Sequence, residues 1–542
     1  MGDQTSARSG QAGQTGAPAR GVPQETDVAI IGAGLGGLSC AAVLAAHGYA
    51  VTVCESHSIA GGAAHGFEQD GFHFDSGPSF FSGLAMDNSF SPVKQILDMV
   101  GERVRCVQYP GWNMHIPEGT FYCPSEAAGY RQEVRRLTSE KSAREWDALL
   151  ARMKPLGTAV EAVPTTSLRS DLGALLTSGP FALRAGRAGR ALRYMQKPFG
   201  QLVQEEINDP LIRNLLDLEC FMLSGMLARE TVTAEMAFMF TLRERAPIDY
   251  PIGGSQAIVD ALVRGIEKHG GQVRTGQHVE RIEIEGGRAT GIELRRGGVL
   301  RARKAVVSNA SIWDTLGLIP EGDVPDSFRQ ERAATPQTDS FMHLHLGIDG
   351  TGLEDLKIHQ IVVNHWDLEA AQNVVGISIP TAVDPSVAPP GKHLIHAYTP
   401  ATEPFDLWEG LRRGTAPYES MKAERSEVLW KALERIIPDV RDRAELVLVG
   451  SPLTHKRYLR RDRGTYGAAM RAGETRFSDQ RTPVEGLWLA GDSVNPGIGV
   501  PAAAMSGMIA AHSILPVWKH ATWLARSRMP DWLGLGLSPR GA

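Results

Sequence analysis

The 542-residue chain is poor in cysteine and carries no excess of charge of either sign large enough to define a partner. Its five cysteines (Cys40, Cys54, Cys106, Cys123 and Cys220) are odd in number and contain no CxxC pair. That pattern excludes a disulfide framework and a thiolate metal site, and points to a reducing compartment. A net charge of -5 leaves no global basic surface to collect phosphates, which argues against a nucleic-acid partner. One stretch, Val28 to Val53, has no formally charged residue, but its glycines argue against a membrane span. No other apolar run of spanning length remains. Residues 1–26, rich in Gly, Ala, Ser and Gln, read as a disordered tail.

What is present begins at Asp27. The β-branched run Val28-Ala29-Ile30-Ile31 predicts a buried parallel strand, followed by Gly32-Ala33-Gly34-Leu35-Gly36-Gly37, an Ala/Leu-rich helix, and a second strand from Ala50 to Cys54 closed by Glu55. This is a dinucleotide-binding βαβ unit. Gly32 permits the turn, Gly34 admits a pyrophosphate to the backbone, and Gly37 lets helix and strand pack closely. The helix N-terminus holds diphosphate charge, and Glu55 accepts hydrogen bonds from ribose hydroxyls.

Further segments complete the expected cofactor site. Gly61-Gly62 offers a second backbone approach to the pyrophosphate, and Phe67 to Pro78 reads as a hairpin running into a turn. Downstream, Leu487 to Ala490 predicts a buried strand ending in Gly491-Asp492. The loop Pro496-Gly497-Ile498-Gly499-Val500-Pro501 then opens a small-residue helix from Ala502. Asp492 is placed for the phosphate end of a bound dinucleotide, and the new helix N-terminus for negative charge developing at its far end. Between these segments, Gly253-Gly254, an amphipathic helix (Ile258, Leu262, Ile266) and strands at Val273, Val279–Ile284, Gly291–Leu294 and Val306–Asn309 return the chain to the nucleotide domain.

The glutamate followed by Gly61-Gly62, the Gly253-Gly254 return, the Val279 strand and Gly491-Asp492 resemble the phytoene desaturase and carotenoid (prolycopene) isomerase family of FAD flavoproteins. The stretches Asp217–Phe221, Ser308–Thr315 and Gly464–Gly467 are similar to the same family, and Ser340–Gly347 with Gly497–Pro501 to its carotenoid-isomerase-like branch. The resemblance implies an α/β fold, with an amine-oxidase-like Rossmann FAD-binding domain interleaved with an α+β substrate domain. It implies FAD as cofactor and a long apolar polyene as substrate. It also gives Val279 a main-chain contact to adenine and places Gly499 and Val500 at the isoalloxazine. Many relatives carry a basic or hydroxyl residue after the paired glycines, where this chain has Ala63-Ala64.

The expected division is 27–105, 248–335 and 481–515 for the FAD-binding domain, 106–247 and 336–480 for the substrate domain, and 516–542 for a C-terminal amphipathic tail. With no second GxGxxG, electrons must come from or go to a diffusing partner such as a quinone, or the reaction has no net redox change. From Leu172 to Gln204 there is no acid. Phe181, Ala185, Ala188, Leu192 and Met195 fall opposite most of Arg184, Arg187, Arg190, Arg193 and Lys197 on a helical wheel, the pattern either of a basic amphipathic helix lying on an anionic membrane or of a solvated helix packed on its own domain. Trp518, Trp523 and Trp532 with Lys519, Arg526 and Arg528 add an interfacial mixture. The expectation is a peripheral or monotopic enzyme of the cytoplasm or plastid stroma.

For chemistry, Glu219 sits in an otherwise apolar helix and is a candidate proton donor or acceptor, the alternative being a carboxylate paired with a nearby arginine such as Arg213. Asp75, His455 and Tyr466 lie in expected loops that related folds bring near the flavin, and they are further catalytic candidates. His343 and His345 alternate on one strand face but lack a third ligand at metal spacing, so no metal site is expected. The expected reaction is cis–trans isomerisation of a carotenoid using reduced flavin. Desaturation by hydride transfer to FAD and non-redox hydration stay open as alternatives.

Overall fold

The computed structural model describes residues 24–526 apart from 88, 246–247 and 474–477. Most of the expected tail 1–26, together with Arg528 and Trp532, therefore lies outside the described residues. Strand β1 (Glu25–Ile31), helix α1 (Leu35–Ala46) and strand β2 (Val51–Cys54) form the βαβ unit, with β1 and β2 parallel in the register Val28 to Val51. Helix α1 is buried along nearly its whole length, as its Ala/Gly/Leu composition dictates.

These strands belong to a seven-stranded sheet. Outward from β1, one side holds β2 and Gln272–Arg274; the other holds Val299–Ser308, Arg288–Leu294 and Val279–Glu285. The long strand Val299–Ser308 serves two layers. It is parallel to β1, its first half pairs antiparallel with Arg288–Leu294, and its last residues pair parallel with Leu487–Leu489. Tight turns at Gly286-Gly287 and Gly297-Gly298, all at positive φ, make this meander possible. The α/β Rossmann architecture expected from the sequence is present. The small-residue helix begins at Val500, two residues before its expected start, and runs to Ile514; it packs directly on α1.

A second seven-stranded sheet runs in the order Ala444–Gly450, His343–Asp349, Lys392–Tyr398, Val374–Ser378, His359–Val363, Gly111–Ile116, Gly119–Pro124. Helices between residues 127 and 245 cover one end around a core including Trp146, Phe199, Leu215 and Phe221.

One local expectation changes. Residues 172–204 do not form one helix: short helices at Ala174–Thr177 and Gly179–Ala185 lead into a 3₁₀ stretch, Gly186–Tyr194, which is kinked at Gly189 (φ 56°). Tyr194 is buried in the helical core and Met195 packs against it, so part of the expected lipid-facing stripe is core. Among the described residues no single helix is long and apolar enough to cross a membrane.

Candidate active site

A cavity of about 1020 Å³ opens where the two sheets meet, at the upper end of ordinary ligand pockets. One wall is the dinucleotide unit: Gly32, Gly34, Glu55, Gly61, Gly62, Val279, Gly491, Asp492, Gly499 and Val500 all line it. Gly37 does not. A Cβ there would collide with the Gly32 carbonyl, so Gly37 serves helix–strand packing. Gly32 takes φ +89°, the turn only glycine adopts freely. A Cβ at Gly36 would lie 2.6 Å from the Gly491 nitrogen, which is how closely the first glycine loop meets the late Gly-Asp segment.

Two helix N-termini face this space without a side-chain cap: α1 after Gly34, and Val500–Ile514 after Gly499. Their free N–H groups make anion sites. Glu55 points its carboxylate at the loop, accepting from the Ala33 N–H at 2.7 Å and the His57 N–H at 2.7 Å. Oε1 also accepts from the Ser56 hydroxyl at 3.2 Å, which leaves Oε2 with a lone pair for a ribose hydroxyl. Backbone close enough for a diphosphate, uncapped helix ends and an oriented acid together fit a bound dinucleotide.

The opposite wall comes from the second sheet and the Ser451–Tyr466 segment. It contains Phe341, His343, His396, Tyr398, His455 and Tyr466, with Met222 from the helical region. His455 bonds the Gly464 carbonyl through Nδ1 at 3.0 Å, and burial pushes its pKa down to about 4. Tyr466 donates to the Leu223 carbonyl at 3.3 Å, and burial pushes its phenol well above the ordinary value. Asp492, expected at the ribityl and phosphate end, accepts from Nη1 and Nη2 of Arg461 at 2.8 and 3.0 Å. Arg461 is thus the partner that sequence reasoning missed. Lys456, Arg457 and Arg460 also line the mouth.

Two expected catalytic carboxylates lie elsewhere. Glu219 is 8% exposed and is not among the cavity-lining residues. It accepts from Tyr130 at 3.0 Å and from Arg243 at 3.0 Å, a buried ion pair in the helical core, so it is a structural group there. Its partner is not the near-sequence Arg213, which bonds the Ile207 carbonyl instead. Asp75 accepts from the Ser255 N–H at 2.7 Å, the Ser255 hydroxyl at 2.8 Å and the Tyr250 hydroxyl at 2.8 Å. By taking the Ser255 N–H it closes the start of the helix Ser255–Lys268, which does not line the cavity. Burial raises its pKa. Among the described residues no group of three or more His, Cys, Asp or Glu is arranged to hold a metal ion.

The profile of the family described as "Flavin containing amine oxidoreductase" matches residues 35–515. The chain belongs to that family. It is a flavoenzyme, and a flavin is the group its glycine wall is shaped for. The chloroplastic prolycopene isomerase of Daucus carota is 30% identical over 503 residues, 91% of this chain and 80% of that one. The neurosporene-forming phytoene desaturase of Rhodobacter capsulatus is 26% identical over 521 residues, 90% of this chain and 93% of that one. Among solved structures, an oxidoreductase from Methanosarcina mazei superposes with a TM-score of 0.61 at 22% identity, covering 89% of this chain and 98% of that one, a likeness of fold.

Proposed function

We propose that this flavoenzyme binds FAD and catalyses the cis–trans isomerisation of a long conjugated polyene of the carotenoid class. The similarity to a prolycopene isomerase across nearly the whole chain carries this reading. The cavity supports it, with a dinucleotide wall facing Met222, Phe341, Tyr398, Pro400 and Tyr466.

Bound flavin supplies the electron-transfer chemistry. The protein's part is holding and exclusion. The N–H groups at the start of α1 take the diphosphate, Glu55 takes the adenosine ribose, and the N-terminus of Val500–Ile514 favours negative charge at the ring end. The aromatic wall aligns an apolar chain and keeps water out. Of the four candidate groups, Glu219 and Asp75 lie off the cavity, while His455 and Tyr466 line it as a neutral imidazole, which can accept a proton, and a neutral phenol, which can donate one. Isomerisation moves no net proton, whereas desaturation needs a base and hydration an acid. Anaerobic incubation with oxidised or pre-reduced FAD and a lipid-dispersed panel of cis and trans carotenoids tests this. Mass-neutral conversion requiring reduced flavin is expected; a change of two hydrogens, or a gain of water, would replace the reading.

We further propose that the enzyme meets its substrate at a membrane surface. Leu172, Leu175, Leu176 and Trp518 are 70–86% exposed. They belong to one region, because the helix Ala174–Thr177 packs on the helix Val517–Arg526. Arg190, Arg193, Lys197 and Arg526 are exposed nearby in sequence, the sign of charge that anionic lipid attracts. Trp523 is not part of this surface; it packs on His47 at 5.5 Å. Replacing Leu172, Leu175 and Leu176 with serine is expected to weaken binding to anionic vesicles about tenfold or more, from the apolar area withdrawn. A wild-type protein that fails to float with such vesicles sinks the proposal.

A further inference from the structure

The first glycine loop and the Gly491-Asp492 turn meet backbone to backbone, since a Cβ on Gly36 would lie 2.6 Å from the Gly491 nitrogen. That N–H is spent on the Ser506 hydroxyl at 2.7 Å. The uncapped start of α1 is the diphosphate site, so Asp492, which lines the cavity, brings a negative charge toward a dianion. Glu55, Asp314 and Asp462 line the same cavity. Like charges repel more strongly as water is displaced from between them. An acidic wall of this kind admits a diphosphate only if a cation is built into it.

Four cations line the cavity, and three of them, Lys456, Arg457 and Arg460, are solvent-exposed. Arg461 alone of the four is turned inward, its side chain 11% exposed. Nη1 and Nη2 each donate to one oxygen of Asp492, and Nη2 donates also to the Tyr466 carbonyl at 2.9 Å. A two-pronged guanidinium–carboxylate contact is both strong and directional. The backbone around it is held in place. Arg460 and Arg463, on either side, both take φ 50°, a left-handed conformation that non-glycine residues keep only where their surroundings impose it. The Asp462 N–H donates to Asp314 at 3.0 Å, Gln337 donates to the Asp462 carboxylate at 2.8 Å, and Arg463 pairs with Asp406. The reach of Arg461 to Asp492 is therefore set before any ligand arrives.

We propose that Arg461 is a positioning residue for the cofactor: by cancelling the charge of Asp492 it lets a carboxylate stand against the diphosphate. Each Asp492 oxygen still has a lone pair beyond the one Arg461 uses, enough to accept from a neutral ribityl hydroxyl. The assignment rests on the FAD reading above.

Apoprotein titrated with adenosine, ADP and FAD tests the charge argument, because ADP carries the diphosphate without the ribityl chain and adenosine carries neither. Arg461→Gln is expected to weaken ADP and FAD about tenfold or more and to leave adenosine unchanged. Asp492→Asn, which keeps the side chain's shape, is expected to tighten ADP severalfold, because Arg461 then stands uncancelled. The double variant should bring ADP back to within about threefold of wild type, a recovery that a merely structural role for Arg461 does not produce. Arg461→Lys keeps the charge without the fork and should hold most of the ADP affinity. Should Arg461→Gln fail to fold, Asp492→Asn and Arg461→Lys carry the test. ADP affinity unmoved by Asp492→Asn, or a folded double variant as weak as Arg461→Gln, would overturn the proposal. Wild type that binds ADP no more tightly than adenosine would instead overturn the dinucleotide reading itself.

Discussion

Replacing Glu219 with leucine is expected to cost about 3–5 kcal/mol of folding stability, the usual consequence of leaving one member of a buried ion pair without its partner. Arg243 would remain in a wall of helices with Tyr130 and Phe240 rings at 5.4 and 5.7 Å, and its Nη1 already lacks a partner. A loss of that size is a large share of the 5–15 kcal/mol that typically holds a protein folded. Glu219→Gln should cost less, because an amide oxygen still accepts from Tyr130 or Arg243. Leucine at both 219 and 243 should recover most of the loss, since an apolar pair of similar volume removes the unpaired charge. Denaturant unfolding of the four proteins measures these terms. The catalytic consequence is the opposite of what the sequence suggests: flavin content and turnover of the protein that remains folded should match wild type, because neither side chain lines the cavity. A Glu219→Gln enzyme of wild-type stability without turnover would restore the carboxyl to the chemistry.

Glu219 also shows where a sequence stops being legible. The dinucleotide wall could be read because its parts are local: a strand, a glycine loop and a helix follow one another within thirty residues or so, as such units do. The hairpin before Asp75, the turns at Gly286-Gly287 and Gly297-Gly298, and the strand entering Gly491 were legible for the same reason. What could not be read depends on long-range register. Arg243 reaches Glu219 from the following helix, Arg461 reaches Asp492 from another segment, and His396 meets His343 only because two strands pair as His343 to Tyr398. His343 and His345 could be seen to share a strand face, yet nothing in the local sequence says which neighbour completes the group. The stretch 172–204 failed differently. Its helical periodicity was genuine, but Gly186 and Gly189 allow a tighter, kinked path, and the buried Tyr194 draws part of the stripe into the core.

The same buried histidines make folding sensitive to acid. Burial lowers the pKa of His345, His455 and His520 to about 4 and of His359 to about 3, from an ordinary value of 6.5. His343, His396 and His512 are held well below it as well. Above pH 6.5 folded and unfolded chains are both neutral at these positions, and the full stability is present. As pH falls below 6.5 the unfolded chain takes up protons that the fold refuses. Each histidine then withdraws up to about 1.4 kcal/mol per pH unit, until pH reaches its folded value. Glu235 works in the other direction. Desolvation raises its pKa to about 7, so between pH 7 and its ordinary 4.5 the fold gains a proton the unfolded chain lacks. Burial also raises Asp75, Glu161, Asp217, Asp249, Asp314 and Asp339 from their ordinary values, but the unfolded chain's histidines begin to take up protons at a higher pH than its carboxyls do, and the net slope just below pH 6.5 is downward. Denaturant unfolding at steps from pH 7.5 to 4.5 should show a steep fall beginning near pH 6.5. Replacing His512 and His520, which stack at 3.9 Å between the helices Val500–Ile514 and Val517–Arg526, with leucine should shallow the slope by up to about two protons' worth. A stability flat between pH 6.5 and 4.5 would mean that these rings are protonated in the fold, against the burial that surrounds them.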